Sequence, residues 1–288
     1  MATRRHTLQA WMFLAPALVL LAAFSFWPVG FGSYLAFTDF SLVRPTSWVG
    51  LDNFRYIFDN EMFVSGLKNS LVFLLMVPFV QVGALGLAVL VNNRLPGIRL
   101  FRAAFYVPVV TTVSVVGIMW GFMFHEQGTL NYILLQLQLV NAPLGWLSND
   151  ALALFSVMFV SLWRGLGWYM VMYLAALQAV PADMQEAATL DGANRWQLFW
   201  RITVPMLRPT IMVCSILSTL AALKAYQDVD VLTQGGPMNS TFTALYYAYD
   251  QGLKHLKLPR ALAASFVVSL FCVGIALVCL RYLKARHR

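Results

Sequence analysis

Two groups of residues in this chain are of types and spacing that could do chemistry. The first is Arg164 with Gly165, Gly167, Trp168 and Tyr169, set in the middle of an apolar run. A guanidinium is a rigid fork of donors suited to phosphate or carboxylate, and indole and phenol rings can stack on the face of a sugar. An arginine at the centre of a membrane span costs roughly 2.5–3.5 kcal/mol to insert, so such a residue normally faces protein or a watery cavity. Two roles stay open for Arg164: lining a pathway, or serving as a hydrogen-bond hub between helices. The second group is a polar stretch that reads Glu186-Ala187-Ala188, then Gly192, then Ile202-Thr203-Val204-Pro205. None of these side chains makes a reactive pair. The pattern suits docking instead, with small alanines that let another surface approach and a glycine that ends a short helix. On periodicity alone it is equally well a plain connection between apolar segments.

Enzyme signatures are missing from the sequence. No glycine-rich loop ends in Gly-Lys-Ser or Gly-Lys-Thr, so the chain is not expected to hydrolyse ATP itself. His125-Glu126 lacks the second histidine of a zinc helix, and His6, His125, His255 and His287 are scattered. Cys214, Cys272 and Cys279 lie in apolar runs without metal-ligand spacing. No catalytic residue, metal or cofactor is expected in this chain.

The elements that must position these groups follow from composition. Of 288 residues, 60% are hydrophobic and 11% charged, against roughly 25% charged in soluble domains. Apolar runs of the length that crosses about 30 Å of hydrocarbon recur. They predict one all-α polytopic domain over 1–288, with six spans at about 11–37, 66–91, 103–124, 151–178, 209–227 and 261–283. No Asp or Glu falls inside any of these ranges, which argues against an ion-coupled secondary transporter. Leu130–Val140 is apolar but too short to span and is expected to be interfacial or re-entrant. Gly117 and Gly121 form a small-residue pair suited to close helix packing.

Six spans place both termini on one side. The N-terminus, the 92–102 turn, the 179–208 loop and the tail hold Arg4, Arg5, Arg94, Arg99, Arg102, Arg195, Arg201, Arg208, Arg281, Lys284, Arg286 and Arg288. Against these stand only Asp183, Glu186 and Asp191. The opposite loops hold Arg44, Arg55, Lys68, Lys224, Lys254, Lys257 and Arg260 against nine acids: Asp39, Asp52, Asp59, Glu61, Glu126, Asp150, Asp228, Asp230 and Asp250. The positive-inside rule then puts both termini and the 179–207 loop in the cytoplasm. The net charge of +8 is explained by this sorting, so lipid rather than nucleic acid is the expected surrounding.

Within the cytoplasmic loop, Pro181 ends the fourth span and Asp183 stands three residues before Glu186 in a capping-box-like spacing. A short helix, a glycine turn at Gly192 and a second helix from about Asn194 follow. Trp196, Phe199 and Trp200 share a face of that second helix, and Pro205 and Pro209 mark the start of the fifth span. Lys224 to Asp230 and the irregular turn Gly235-Gly236-Pro237 are expected at the outer end of that span.

The Glu-Ala-Ala/Gly/Ile-x-x-Pro spacing resembles the signature loop of permease subunits of binding-protein-dependent ABC importers. Val204 stands where that pattern has Leu. Val49-Gly50-Leu51-Asp52-Asn53-Phe54, Ala175–Pro181, Asp191-Gly192-Ala193 and Thr233–Pro237 are similar to the carbohydrate-uptake subgroup, which includes maltose, multiple-sugar and glycerol-phosphate permeases. The resemblance implies a six-span type I ABC importer permease fold in a bacterial-type inner membrane. It also implies a heterodimer with a second permease, two ABC ATPase subunits and an extracytoplasmic binding protein. Sugar is the implied cargo, with glycerol phosphate as the alternative. Carried over, Glu186, Ala187, Ala188, Asp191 and Gly192 would contact the ATPase, while Ile202 and Pro205 would hold the start of the fifth span. Arg164, Trp168, Tyr169, Lys224 and Gln227 are candidates for the translocation path, and Gly235, Gly236 and Pro237 for contact with the binding protein.

Overall fold

The computed structural model describes residues 2–41, 43–92 and 96–285. Arg94, Arg286 and Arg288, used above for topology, and His287 lie outside the described residues. Fifteen α-helices are found among the described residues: α1 (Ala2–Leu21), α2 (Trp27–Leu35), α3 (Asp52–Asp59), α4 (Glu61–Phe73), α5 (Met76–Val91), α6 (Ile98–Val110), α7 (Val113–Met123), α8 (Thr129–Gln136), α9 (Asp150–Gln178), α10 (Ala182–Leu190), α11 (Arg195–Leu198), α12 (Val204–Leu223), α13 (Gln227–Leu232), α14 (Ala244–Tyr249) and α15 (Leu258–Ala285). Five stretches are long and apolar enough to cross a membrane: Trp11–Leu35, Glu61–Val91, Asp150–Gln178, Arg195–Leu223 and Leu258–Val278.

The third expected span differs from its expectation. The segment read as one helix over 103–124 is two, α6 and α7, meeting at a bend of 104°. Local chemistry explains the break. Pro108 cannot donate to the carbonyl one turn back. Thr111 and Thr112 are extended (ψ 137° and 147°), and the Thr111 hydroxyl donates to the Val107 carbonyl at 2.8 Å, which closes α6 with a side chain instead of another helical turn.

The chain folds as two compact units, one of residues up to Asn60 with Ala248–Val267, the other of Glu61–Tyr247 with the residues from Val268 on. In the first, α1 and α2 are joined through a π-turn at Ala22–Phe26. A bridge between Thr38 and Trp48 closes the following loop. Asn53 donates to the carbonyls of Ala36 and Thr38 at 2.9 and 2.7 Å. Phe37, Trp48, Phe54 and Phe266 make an aromatic cluster, and the Arg260 guanidinium lies 3.5 Å over the Tyr56 ring, a cation–π contact.

In the second unit the core is the seam between α5 and α9. Val80, Ala84, Ala88 and Val91 pack on Tyr169, Met170, Tyr173, Leu174 and Leu177, with Leu207 and Cys214 of α12 closing the cluster. Small residues allow this close approach. A Cβ on Gly83 would lie 2.7 Å from Leu166, and one on Gly167 would fall onto the Phe105 carbonyl oxygen of α6. Gly117 meets Val231 of α13, whereas Gly121 has open space within this chain. Arg102 ties the end of α5 by donating to the Val91 carbonyl through Nε and Nη2. Leu130–Val140, read as too short to span, contains α8, anchored by fully buried Asn131. That amide bonds to the carbonyls of His125, Glu126 and Leu144, the Leu144 amide and the Trp146 indole.

Gln81 is the polar hub of this core. Its amide nitrogen donates to the Ser218 hydroxyl at 2.8 Å and the Cys214 carbonyl at 3.2 Å, and its oxygen accepts from the Tyr173 hydroxyl. One side chain thus joins α5, α9 and α12. Gln81→Leu is expected to cost about 1–3 kcal/mol, because it takes the acceptor from the buried Tyr173 hydroxyl and the donor from Ser218. The thermal midpoint of the purified protein checks this, and an unchanged midpoint would show the hub to be dispensable.

Candidate functional site

α9 carries Arg164, Trp168 and Tyr169 at helical spacing, so all three fall on one side. Opposite them the chain leaves α12 at Lys224, turns through Ala225 and Tyr226, and re-enters a helix at Gln227. Between these walls is a cavity of about 520 Å³. Arg164, Trp168, Tyr169, Lys224 and Gln227 all line it, together with Ser161, Ser218, Phe73, Met76, Tyr226 and Asp228. Five residues named from sequence for a pathway therefore share one space. Trp168 is half exposed, while Tyr169 is buried.

Asp228 was assigned from sequence to an outer polar loop. It instead lies on α13 with its carboxylate against α9. Arg164 Nη1 donates to Asp228 Oδ1 at 2.9 Å, and the Ser161 hydroxyl donates to Oδ2. The pair is largely enclosed, with side-chain exposures of 25% and 13%. Arg164 Nε is buried without a hydrogen-bond partner. The signal for Asp228 was present in the sequence: a mid-span arginine calls for a counter-charge, and Asp228 and Asp230 are the acids that follow the fifth span. Arg164 thus joins α9 to α13 through Asp228 and also borders the cavity.

The second candidate site is the loop after α9. Ala182–Leu190 and Arg195–Leu198 are its two short helices. The expected capping box at Asp183 is absent, since Pro181 occupies the N-cap without a side-chain bond and Asp183 falls inside the first turn. There its charge favours the helix dipole without capping it. The capping box is found on α11, where Asn194 and Gln197 exchange bonds of 2.8 and 3.0 Å. Gly192 has φ +83°, its amide donates to Thr189 O at 3.1 Å and that of Ala193 to Ala188 O at 3.0 Å. This is a Schellman end, which needs a left-handed residue at Gly192. Glu186, Ala187, Asp191 and Gly192 are exposed and Ala188 half-buried. Glu186, Thr189, Leu190, Ala193, Arg195 and Leu198 border a groove of about 620 Å³.

The fifth span does not begin at Pro209 as expected. From Arg195 the helix continues through a π-turn at Phe199–Thr203 into α12, with Pro205 in the first turn of α12 and Pro209 inside it. The wider π-turn that precedes Pro205 is where the continuous helix takes in a residue without an amide hydrogen. Ile202 is half-buried within that turn. Trp196 and Trp200 stay 71% and 51% exposed with their rings 5.6 Å apart, as suits an interface anchor.

The Gly235-Gly236-Pro237 turn is shaped by packing. Gly235 has φ +86° and is buried, and a Cβ there would strike the rings of Phe242 and Tyr246. The exposed residues of the turn are its neighbours Gln234, Met238 and Asn239. The segment beyond is no surface loop: Thr241, Thr243, Tyr246 and Tyr247 are fully buried.

Comparison with known proteins agrees with this architecture. Residues 11–286 match the family described as binding-protein-dependent transport system inner membrane component. The lactose transport system permease protein LacF of Rhizobium radiobacter is 31% identical over 99% of this chain and 96% of its own. The sn-glycerol-3-phosphate transport system permease protein UgpA of Agrobacterium fabrum is 29% identical over 96% and 94%. In fold, the chain superposes with a TM-score of 0.85, at 22% identity and over 99% of both chains, on a chain of a bacterial ABC transporter that imports the acidic polysaccharide alginate. With almost its whole length matched, this chain belongs to the family of binding-protein-dependent transport system inner membrane components.

Proposed function

We propose that the chain is one of two paired permease subunits of an ATP-driven importer that carries a sugar across the inner membrane. Its N- and C-termini and the 179–207 loop lie in the cytoplasm, in keeping with the sorting of Arg and Lys between loops. ATP is hydrolysed by two separate ATPase subunits, and an extracytoplasmic binding protein delivers the sugar at the other face. A relative named as a lactose transport permease supports the cargo class. An alginate transporter of the same fold in complex with its periplasmic binding protein supports that partner.

The observation that carries the proposal is mechanical. α10 and α11 form an exposed two-helix element joined through the turn at Gly192, and α11 runs without a break into the span Arg195–Leu223. A push on α10 by the ATPase passes through the glycine turn to α11 and along a continuous helix to Lys224 at the cavity. The chemistry needed here is only recognition and motion.

Affinity purification of the tagged chain in mild detergent tests this. An ATPase subunit and a second permease should be retained together, and the preparation should hydrolyse ATP faster when loaded binding protein is added. Recovery of the chain alone, with uptake intact in cells lacking the ATPase, would overturn the proposal.

A further inference from the structure

Three side chains lining the 520 Å³ cavity carry charge: Arg164, Lys224 and Asp228. Arg164 is committed to Asp228, while Lys224 is exposed. Arg164 donates to Asp228, whose second oxygen is taken by Ser161. Lys224 is the C-cap of the twenty-residue α12, where the helix dipole places about half a negative charge. The remaining lining is neutral: Trp168 with an exposed ring, the phenols of Tyr169 and Tyr226, the Gln227 amide, the Ser218 hydroxyl and apolar Phe73, Met76 and Val80. Rings and neutral hydrogen-bonding groups are what a polyhydroxylated ring binds. An anion would draw on the charge of Arg164, and Asp228 already offsets that charge.

Resting on the transport function proposed above, we propose that Asp228 sets the charge class of the cargo: by cancelling Arg164 it makes the cavity a site for uncharged sugars and weakens the binding of anionic ones. Ser161 acts through Asp228 as a positioning residue, holding the carboxylate turned toward α9. The chemistry is discrimination by charge balance, in which one group is placed so that the wrong ligand finds no unpaired partner. A carboxylate bound in the cavity lies several ångströms from the pair. At that range one uncompensated unit charge changes affinity by about tenfold or more at an effective dielectric near 20.

The test uses the permease–ATPase complex purified from its own membrane into nanodiscs, with the binding protein omitted. The probes are radiolabelled glucose and glucuronate, which differ by a single hydroxymethyl-to-carboxylate change. The wild-type complex should favour glucose by at least about tenfold. In D228N the ratio should move at least about tenfold toward glucuronate, and in R164Q/D228N, where the pair is neutral again, it should return to the wild-type value. If D228N does not assemble, R164Q provides the opposite arm, a cavity with an extra negative charge in which glucuronate weakens further. A ratio unchanged within twofold in every assembled variant overturns the proposal. So does wild-type preference for glucuronate, or binding of neither probe by any form. Retention of the ATPase is scored on the same preparations, so failure of the importer function is seen separately from failure of charge selection.

Discussion

Gly192→Val should abolish transport, lowering uptake at least about tenfold while leaving the protein inserted in the membrane. The expectation comes from backbone geometry. Gly192 sits at φ +83° with no other atoms within 4 Å of where a Cβ would stand, so space is not the obstacle. An L-residue in the left-handed region costs roughly 1–2 kcal/mol, and a β-branched one more. The chain would relieve that strain by unwinding the Schellman end, losing the bonds to Thr189 and Ala188 and the angle between α10 and α11. Because the site is exposed, global stability should change little while the transfer of force fails. Asparagine tolerates this conformation best among the non-glycine residues. Uptake should therefore fall in the order Gly192→Asn, Gly192→Ala, Gly192→Val, measured as sugar accumulation in cells with protein amount checked by immunoblot. Normal uptake in the valine variant would remove the two-helix element from the mechanism. Equal damage by Asn and Val would point to side-chain bulk at a partner surface instead of backbone strain.

Arg164→Ala has the second large expected effect, and the structure changes its character. Read from sequence, the substitution removes a lining residue and lowers transport with assembly intact. The pair with Asp228 adds a stability loss, since a carboxylate only 13% exposed in the intact pair loses its cation. Breaking one side of a buried pair costs on the order of 3 kcal/mol, whereas removing both sides costs much less. The double variant Arg164→Ala/Asp228→Ala should thus be more stable than Arg164→Ala alone, and a double-mutant cycle on thermal unfolding should give a coupling of about 1–3 kcal/mol. Additive effects would mean that the two groups do not depend on each other. Uptake should stay low in the double variant, because the cavity has lost its polar wall.

Much of this protein was legible in its residues, for reasons that differ from place to place. Spans were readable because hydrocarbon admits few charges; the start of the fifth was not, since a helix continues into a polar loop where capping allows, as Arg195–Leu223 does. Gly192 was readable because a turn of that hand needs glycine. The bend at Thr111–Thr112 was hidden, because hydropathy does not register a single interrupted turn. Asp183 misled for a related reason: the spacing of a capping box is visible in sequence, but which residue stands at the cap depends on where Pro181 lets the helix begin.

By itself, the order of residues determined class, span positions and the two-helix pattern of the 179–207 loop, all properties of local composition acting on solvent or lipid. Only the tertiary structure decided that Arg164 and Asp228, 64 residues apart, form one neutralised pair, and that Lys224 and Gln227 face Trp168 across a single cavity. Charge in a low-dielectric interior is governed by distance, and distance between remote residues is a property of the packed helices alone.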